Sequence, residues 1–201
     1  MDFTKTIEVE FKVQIPKTDL KKVTVKLTSL GFNLDHNALI HDSFLQITRS
    51  QVKGFDFTRL RRYDNGKIEL TKKSWIRSGK DKLRSEETIH VDHGNLELID
   101  FLLPPLFTVQ KLRKHYLNSN VLDSGFFMTV CIDRLTTPND DHLLLEAEIL
   151  ANESTFSSAN ELVHKLVSQI VGQTNPREAD GFLKYCATLD PKIKQILDKI
   201  V

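Results

Sequence analysis

Cysteine is scarce in this chain, with only Cys131 and Cys186 among 201 residues. Two such residues make neither a disulfide framework, a CxxC pair nor a zinc spacing, and two free buried thiols in a reducing compartment are expected. Proline (six) and glycine (eight) are too few and too scattered to form a linker, and neither a low-complexity tract nor an internal repeat occurs, so a single domain over residues 1–201 is expected. No apolar run approaches the ~20 residues of a membrane helix. Charges arrive at once in Asp2, Lys5, Glu8, Glu10 and Lys12, where a signal peptide would be apolar. A cytoplasmic protein with no membrane contact is the expectation. Nor is either charge in excess: 28 Lys+Arg face 27 Asp+Glu for a net charge of +1, so no nucleic-acid partner is expected. The phosphate loop GxxxxGK, the dinucleotide turn GxGxxG and the zinc motif HExxH are all missing. The seven histidines (36, 41, 90, 93, 115, 142 and 164) show no triad spacing and read as surface or packing groups, with His115 beside a basic strand.

What is present is a core-forming composition, 40% hydrophobic and 27% charged, with clear periodicities. "TIEVEFKV" alternates strictly, Ile7, Val9, Phe11 and Val13 against Glu8, Glu10 and Lys12, as a strand does. After Pro16, Thr18 can cap a helix whose stripe is Leu20, Val23, Leu27 and Leu30, stopped by Gly31. A weaker strand follows over about Leu39 to Ile47. "FDFTRLRRYDNGKIELTKKSW" is two strands joined by the hairpin turn Asp64-Asn65-Gly66. A polar loop from Arg77 to Lys82 leads to the strand "LRSEETIHV" and to a short helix in "GNLELIDFLL". Further strands are expected in "TVQKLRKHYLN", "FFMTVCIDRL" and "HLLLEAEIL", the last two joined by a loop over Thr136 to Asp141. Ser154 to Val171 carries the clearest helical stripe, ended by Gly172, and "PKIKQILDKIV" makes a short amphipathic helix. Seven or eight antiparallel strands with three to five helices define an α+β fold with a large curved or closed sheet.

The alternation rule places the charges of each strand on one face. Arg59 and Arg61 share a face opposite Leu60, and Glu69, Thr71 and Lys73 share one opposite Ile68 and Leu70. Arg84 pairs in phase with Glu86, Lys111 with Arg113, and Glu146 with Glu148, while Asp133 follows the apolar run Val130 to Ile132. Any one of these strands is explained by a solvated sheet face. Two E-x-E strands and two basic-x-basic strands together suggest a closed sheet with charge turned inward. Such an array is costly unless a ligand or metal compensates it. Paired carboxylates suit Mg²⁺ or Mn²⁺, and clustered Arg and Lys suit phosphate.

In this arrangement "EVEFK" (Glu8, Glu10, Lys12) resembles the ExExK signature of the CYTH superfamily, the triphosphate tunnel metalloenzymes. The order that follows is similar too: "RLR" (Arg59, Arg61), "ELT-x-K" to Lys73, "RSEE" (Arg84, Glu86), "KLRK", "IDR" (Asp133) and "LEAE" (Glu146, Glu148). The resemblance spans about residues 6 to 186. It implies an eight-stranded antiparallel β-barrel with a charged lumen and helices packed outside. It implies that Glu8, Glu10, Glu146 and Glu148 hold Mg²⁺ or Mn²⁺ with Asp133 among them, and that Lys12, Arg59, Arg61, Lys73, Lys111 and Arg113 bind the triphosphate. Arg84 and Glu86 would also line the tunnel, and Glu8, Glu10, Lys12 and Asp133 would form the catalytic core. Within adjacent pairs, spacing favours Lys73 over Lys72 and Arg61 over Arg62. The family's lysine before a Ser-Tyr pair has no match in "READGFLKYC", where Arg177 or Lys184 could take its place. The implied activity is metal-dependent hydrolysis of a small-molecule triphosphate, inorganic tripolyphosphate first, then thiamine triphosphate or a nucleoside triphosphate. A class IV adenylyl cyclase and a non-catalytic polyphosphate-binding module are the alternatives, and the protein would be a monomer or homodimer.

Overall fold

A computed structural model describes residues 7–51, 55–77, 83–118, 126–179 and 181–200, without the side chains at 76, 77, 83 and 84. The described chain is α+β. Its strands are β1 (Ile7–Pro16), β2 (Phe32–Arg49), β3 (Phe55–Tyr63), β4 (Ile68–Arg77), β5 (Leu83–His90), β6 (Phe107–Asn118), β7 (Met128–Thr137) and β8 (His142–Ala151). Its helices are α1 (Leu20–Ser29), α2 (His93–Leu102), α3 (Phe156–Val171), α4 (Phe182–Leu189) and α5 (Pro191–Asp198). The strands form one antiparallel sheet in the hydrogen-bonded order β1-β5-β4-β3-β2-β6-β7-β8, β8 pairing back with β1, the connectivity of a closed barrel. None of the described helices is long and apolar enough to cross a membrane. Two compact units divide the chain, the first taking Met1–Asn37, Arg113–Arg134 and Asp141–Ala179, the second Ala38–Leu112, Leu135–Asp140 and Asp180–Val201.

In the first unit, β1 and β8 pair along their whole length, from Ile7 opposite Ala151 to Pro16 opposite His142. The apolar phase of β1 (Ile7, Val9, Phe11, Val13, Ile15) is buried, and α3 packs across β1 and β8. From α3, Phe156, Ala159, Val163, Leu166, Val167 and Ile170 are buried, and His164 lies with its ring centroid 4.0 Å from that of Phe11. Burying each such apolar side chain contributes roughly 1.5–3 kcal/mol. A one-residue slip of β1 would turn all five outward, so this packing fixes which way Glu8, Glu10 and Lys12 face. Gly172 ends α3 in the left-handed region at φ +70°, as the terminator reading requires. Thr18, by contrast, caps nothing: a 3-10 turn spans Lys17–Asp19, and Asp19 takes the N-cap position of α1 without a side-chain bond. The chain tightens into that turn straight after Pro16, which moves the helix start past the threonine.

The second unit holds the hairpin of β3 and β4. Tyr63 N–H donates to the Lys67 carbonyl (2.9 Å), Lys67 N–H to Asn65 Oδ1 (3.0 Å), and Gly66 sits at φ +85°. Leu60 and Ile68 on the hairpin join Leu45, with Leu70, Leu96 and Ile99 packed against them, so α2 covers the apolar face of β3 and β4. Strand β2 is longer than the Leu39-to-Ile47 segment and shifts register against β3 between Phe44 and Gln46. The polar run "NLDHN" hides its first half, because backbone pairing extends the strand where side-chain alternation gives no signal. Helix α4 covers the C-terminal stretch that carries Lys184, burying Leu183, Tyr185 and Cys186. Helix α5 packs on α4 and buries Ile193 and Leu197, with Pro191 in its first turn and Asp190 Oδ1 accepting from Lys192 N–H (2.8 Å). Neither cysteine forms a disulfide, both are buried, and burial pushes the Cys186 thiol up to about 12. The polar loop expected up to Lys82 falls, from residue 78, outside the described residues.

Candidate functional site

Charge on these strands runs opposite to the usual pattern. On β6, Lys111 is 3% exposed while Leu112 beside it is 44% exposed. On β8, Glu146 is buried between Leu145 and Ala147, and β4 buries Lys73 while Lys72 is exposed. Buried charge is tolerated only when paired, and two clusters supply the pairing.

The first cluster lies within the first unit. Register places Lys12 of β1 opposite Glu146 of β8 and Glu10 opposite Glu148. Lys12 Nζ donates to Glu10 Oε2 at 2.9 Å and lies 2.7 Å from Glu146 Oε1. On β6, Arg113 grips Asp133 of β7 with two donors, Nε to Oδ1 (2.6 Å) and Nη2 to Oδ2 (2.7 Å), and reaches Glu146 Oε2 at 3.4 Å. Glu8, Glu146 and Glu148 converge, one carboxylate oxygen of each lying within 4.8 Å of the others. Burial opposes the Glu146 charge, and so does Glu10, but Lys12 and Arg113 outweigh them and hold its pKa below the usual glutamate value. Burial likewise opposes the Arg113 charge, while Asp133, Cys131 and Glu146 secure it. Three carboxylates, Glu146 buried and Glu8 and Glu148 half-buried, offer only oxygen donors and fit a hard divalent cation such as Mg²⁺ or Mn²⁺.

The second cluster lies within the second unit and has the opposite sign. Its centre is Asp42 of β2, fully buried, which stands opposite Arg61 of β3. Arg61 donates through Nε to Asp42 Oδ1 (2.6 Å) and through Nη2 to Oδ2 (2.9 Å); Arg59 Nε lies 3.6 Å and Lys111 Nζ 3.8 Å from the same carboxylate. Burial works against the Asp42 charge, yet Arg59, Arg61 and Lys111 together hold its pKa far below the ordinary aspartate range. Lys73 Nζ pairs with Glu86 Oε2 of β5 at 2.6 Å. Glu69, at the hairpin end of the same face, accepts from Tyr63 Oη (2.8 Å) and pairs with Lys67 (2.7 Å). Aromatic rings close one side: Phe44 contacts Phe57, Phe107 and Phe182, and Lys111 Nζ stands 5.1 Å from the Phe182 ring centroid. An apolar wall beside cations lowers the local dielectric and strengthens their attraction for an anion.

The two clusters account for the sequence-derived site residues as follows. Glu8, Glu10, Lys12, Arg113, Asp133, Glu146 and Glu148 come together in the first unit, with Asp133 engaged by Arg113 and outside the three-carboxylate set. Arg59, Arg61 and Lys111 come together in the second, where Lys73 pairs with Glu86 on the face of β4 that bears Glu69 and Thr71. Arg61 is buried while Arg62 turns to Asp100 of α2, with both carboxylate oxygens accepting at 2.7 Å. The side chain of Arg84 lies outside the described residues. Arg177 and Lys184 are both exposed, and neither is paired with the buried charges above. In their neighbourhood of the sequence the structure buries Tyr185 instead, whose hydroxyl donates to Asp140. Asp42 is a site residue outside the sequence-derived set: it shares the phase of Ile40 and Phe44 on β2, and only its cross-strand partner Arg61 gives it meaning.

A model of the CYTH domain matches residues 6–165, most of the chain. The protein therefore belongs to the CYTH domain family. No curated protein matches the sequence. Among solved structures, the PH1819 protein of Pyrococcus horikoshii is similar at 19% identity and a TM-score of 0.61, covering 91% of this chain and 99% of its own. An adenylate cyclase candidate from Vibrio parahaemolyticus is similar at 15% identity and a TM-score of 0.65, covering 90% and 98%. HpAC1 from Hippeastrum, an adenylyl cyclase candidate described as having a dominant triphosphatase activity, is similar at 12% identity and a TM-score of 0.58, covering 91% and 95%. At these identities the likeness is one of fold.

Proposed function

We propose that this protein is a divalent-metal-dependent hydrolase of triphosphates, with inorganic tripolyphosphate as the first substrate to test and thiamine triphosphate or a nucleoside triphosphate after it. The observation that carries the reading is the convergence of Glu8, Glu146 and Glu148 within 4.8 Å, beside a lysine held between Glu10 and Glu146. Membership of the CYTH family and the triphosphatase activity described for HpAC1 support it.

Glu8, Glu146 and Glu148 would hold Mg²⁺ or Mn²⁺, with Glu10 and Asp133 next to them. A divalent cation there supplies Lewis-acid polarisation of a phosphoryl oxygen and offsets the charge that develops on the leaving group. The chain's own residues do the rest. Lys12 and Arg113 bring positive charge to the carboxylate cluster and would bind terminal phosphoryl oxygens. Arg113, clamped by Asp133, presents its guanidinium in a fixed plane. Arg59, Arg61, Lys73 and Lys111 are further cations for phosphate oxygens, with Asp42 fixing Arg61 by a two-point contact. In the reaction a water oxygen bonds to the terminal phosphorus, the P–O bond to the bridging oxygen breaks, and the water proton passes to the carboxylate-lined surroundings. Phosphoryl transfer depends on positioning and charge neutralisation more than on covalent chemistry, which suits a site built only of carboxylates and cations. The partner is a small-molecule triphosphate, in keeping with a chain of balanced charge.

Phosphate release from tripolyphosphate, thiamine triphosphate and ATP, each with Mg²⁺ or Mn²⁺ and with EDTA, tests the reading. Metal-dependent release of orthophosphate is expected. Cyclic AMP and pyrophosphate as the main products from ATP would make it a cyclase, and tight binding of tripolyphosphate without turnover under both metals would make it a binding module.

A further inference from the structure

A second group of metal-ligating side chains, made of other residues, lies on β2 and β6 in the first unit. Asp35 and His36 are neighbours on β2, and His115 is on β6, the adjoining strand in the sheet. Both imidazoles turn their Nδ1 atoms to one oxygen, Asp35 Oδ2, at 2.6 Å from His36 and 3.1 Å from His115. The two rings are tilted by 36° with centroids 4.9 Å apart. One ligand atom from each of the three residues lies within 4.8 Å of the other two. His36 and Asp35 are exposed and His115 is partly buried, which leaves an approach from solvent and open coordination positions on one side.

We propose that Asp35, His36 and His115 form a binding site for a borderline divalent cation such as Zn²⁺, Co²⁺ or Ni²⁺. Two imidazole nitrogens and one carboxylate oxygen are the donor set such ions select, whereas Mg²⁺ prefers oxygen donors and retains its waters. The convergence on a single carboxylate oxygen matters here. In the neutral rings each Nδ1 is the donor to Asp35. Transfer of that proton to the outward Nε2 through water turns each Nδ1 lone pair inward, so the rings stay neutral and the same three atoms face a cation. Atoms and charge balance without redox change. Ordinary ligand distances of about 2.0–2.2 Å from a shared ion are reached by small movements of half-exposed side chains. The bound ion would tie β2 to β6. The chain would then carry two cation sites of different character, hard oxygen donors at Glu8, Glu146 and Glu148 and a mixed N₂O set here.

The test uses the full chain, stripped with EDTA, and calorimetric titration with Zn²⁺ in millimolar Mg²⁺, alongside His36→Gln, His115→Gln and Asp35→Asn. Thermal melting in EDTA checks that each variant is folded. The wild type is expected to bind one equivalent of Zn²⁺ that each variant loses or binds about 10–100-fold more weakly. In NMR spectra of the wild type, the ring signals of His36 and His115 should move with Zn²⁺ while those of His90 and His93 stay. Equal stoichiometry and affinity in wild type and His36→Gln, the half-exposed and mildest change, would overturn the proposal and leave the three residues a hydrogen-bonded trio. Loss of the equivalent only in Glu146→Gln would overturn it as well, by assigning the ion to the carboxylate cluster.

Discussion

The two buried charge clusters solve one electrostatic problem in opposite ways. In the second unit, Arg59, Arg61 and Lys111 surround a carboxylate that the chain itself provides, Asp42, and Lys73 has Glu86. In the first unit, Glu10, Asp133 and Glu146 engage Lys12 and Arg113, and Glu8, Glu146 and Glu148 converge on one another. Crowded carboxylates commonly share protons. Here Glu146 moves the other way, towards ionisation, because its two cations outweigh burial and Glu10. The cationic cluster thus gathers around an internal carboxylate, while the anionic cluster brings three carboxylates to one place. That asymmetry is what a cation-dependent site needs, and it orders the experiments that could break it.

The largest effect is expected at the anionic cluster. Glu146 touches Lys12, Arg113 and the three-carboxylate set at once, so Glu146→Gln removes a proposed ion ligand and an anchor together. If it contributes several kcal/mol of transition-state stabilisation, tripolyphosphate hydrolysis should fall on the order of 10²–10³-fold at saturating Mg²⁺ or Mn²⁺. Phosphate release at the wild-type rate from this variant would remove the carboxylates from the mechanism.

Next comes the internal counter-ion. Asp42→Asn leaves Arg61 buried with a neutral partner, and breaking a buried pair in this way costs about 3–5 kcal/mol. Urea unfolding of the two proteins measures it. The pH dependence has a definite sign. The folded pKa of Asp42 is depressed, so its contribution is complete above the unfolded value of about 3.9 and is lost only as pH falls through the much lower folded value. The gap between wild type and variant should therefore persist at pH 5 and close only in strong acid. A gap that closes near neutrality would show that Asp42 is not held ionised. The Asp42→Asn change should also free the Arg59, Arg61 and Lys111 donors, so tripolyphosphate should bind the variant at least as well as the wild type even as stability drops.

A smaller effect separates the clusters by ligand. An ion that binds only the folded chain stabilises it by about 2.7 kcal/mol at a hundred times its Kd. Mg²⁺ or Mn²⁺ alone should raise the melting temperature of the wild type and not of Glu146→Gln. Tripolyphosphate with EDTA should raise both, and should lose that effect in Lys73→Met. If metal stabilises Glu146→Gln as it does the wild type, the asymmetry of the two clusters has no ionic meaning.

How much of this was legible beforehand depends on what each residue's phase could say. Alternation points to the inward charges on β1, β3, β4, β6 and β8, half-buried on β1 and buried at Arg59, Arg61, Lys73, Lys111 and Glu146, because an in-between apolar residue fixes the face of its neighbours. Arg59, Leu60 and Arg61 are the clearest case, with Leu60 packed towards α2 and both arginines buried on the other face. The hairpin at Asp64 to Gly66 was legible for a local reason, since a positive φ calls for glycine. Three things were not legible. The first half of β2 carries too little apolar alternation to declare itself, so the strand is defined by pairing alone. Asp42 needs its cross-strand partner Arg61 to be interpreted, and register is not written in one strand. In "READGFLKYC" the helix α4 has only eight residues, and Leu183, Tyr185 and Cys186 are too few to set a helical period apart from a short apolar run.

The smallest effect tests the phase argument itself at Arg61 and Arg62. These neighbours differ only in which face of β3 they leave. Arg62 reaches Ser43 at 3.2 Å and Asp100 at 2.7 Å, and both members of the ion pair remain partly in water. An exposed pair of this kind contributes about 0–1 kcal/mol, so Arg62→Gln should lower stability by no more than that and leave KM for tripolyphosphate unchanged. Arg61→Gln removes a buried cation from the Asp42 cluster and should raise KM clearly while also destabilising the fold. Steady-state kinetics on the two variants, with melting temperatures alongside, decides the matter. A KM that rises for Arg62→Gln and not for Arg61→Gln would mean that the phosphate-binding face of β3 is the one covered by α2. Every cation assigned by alternation on that hairpin, Lys73 included, would then have to be exchanged for its neighbour.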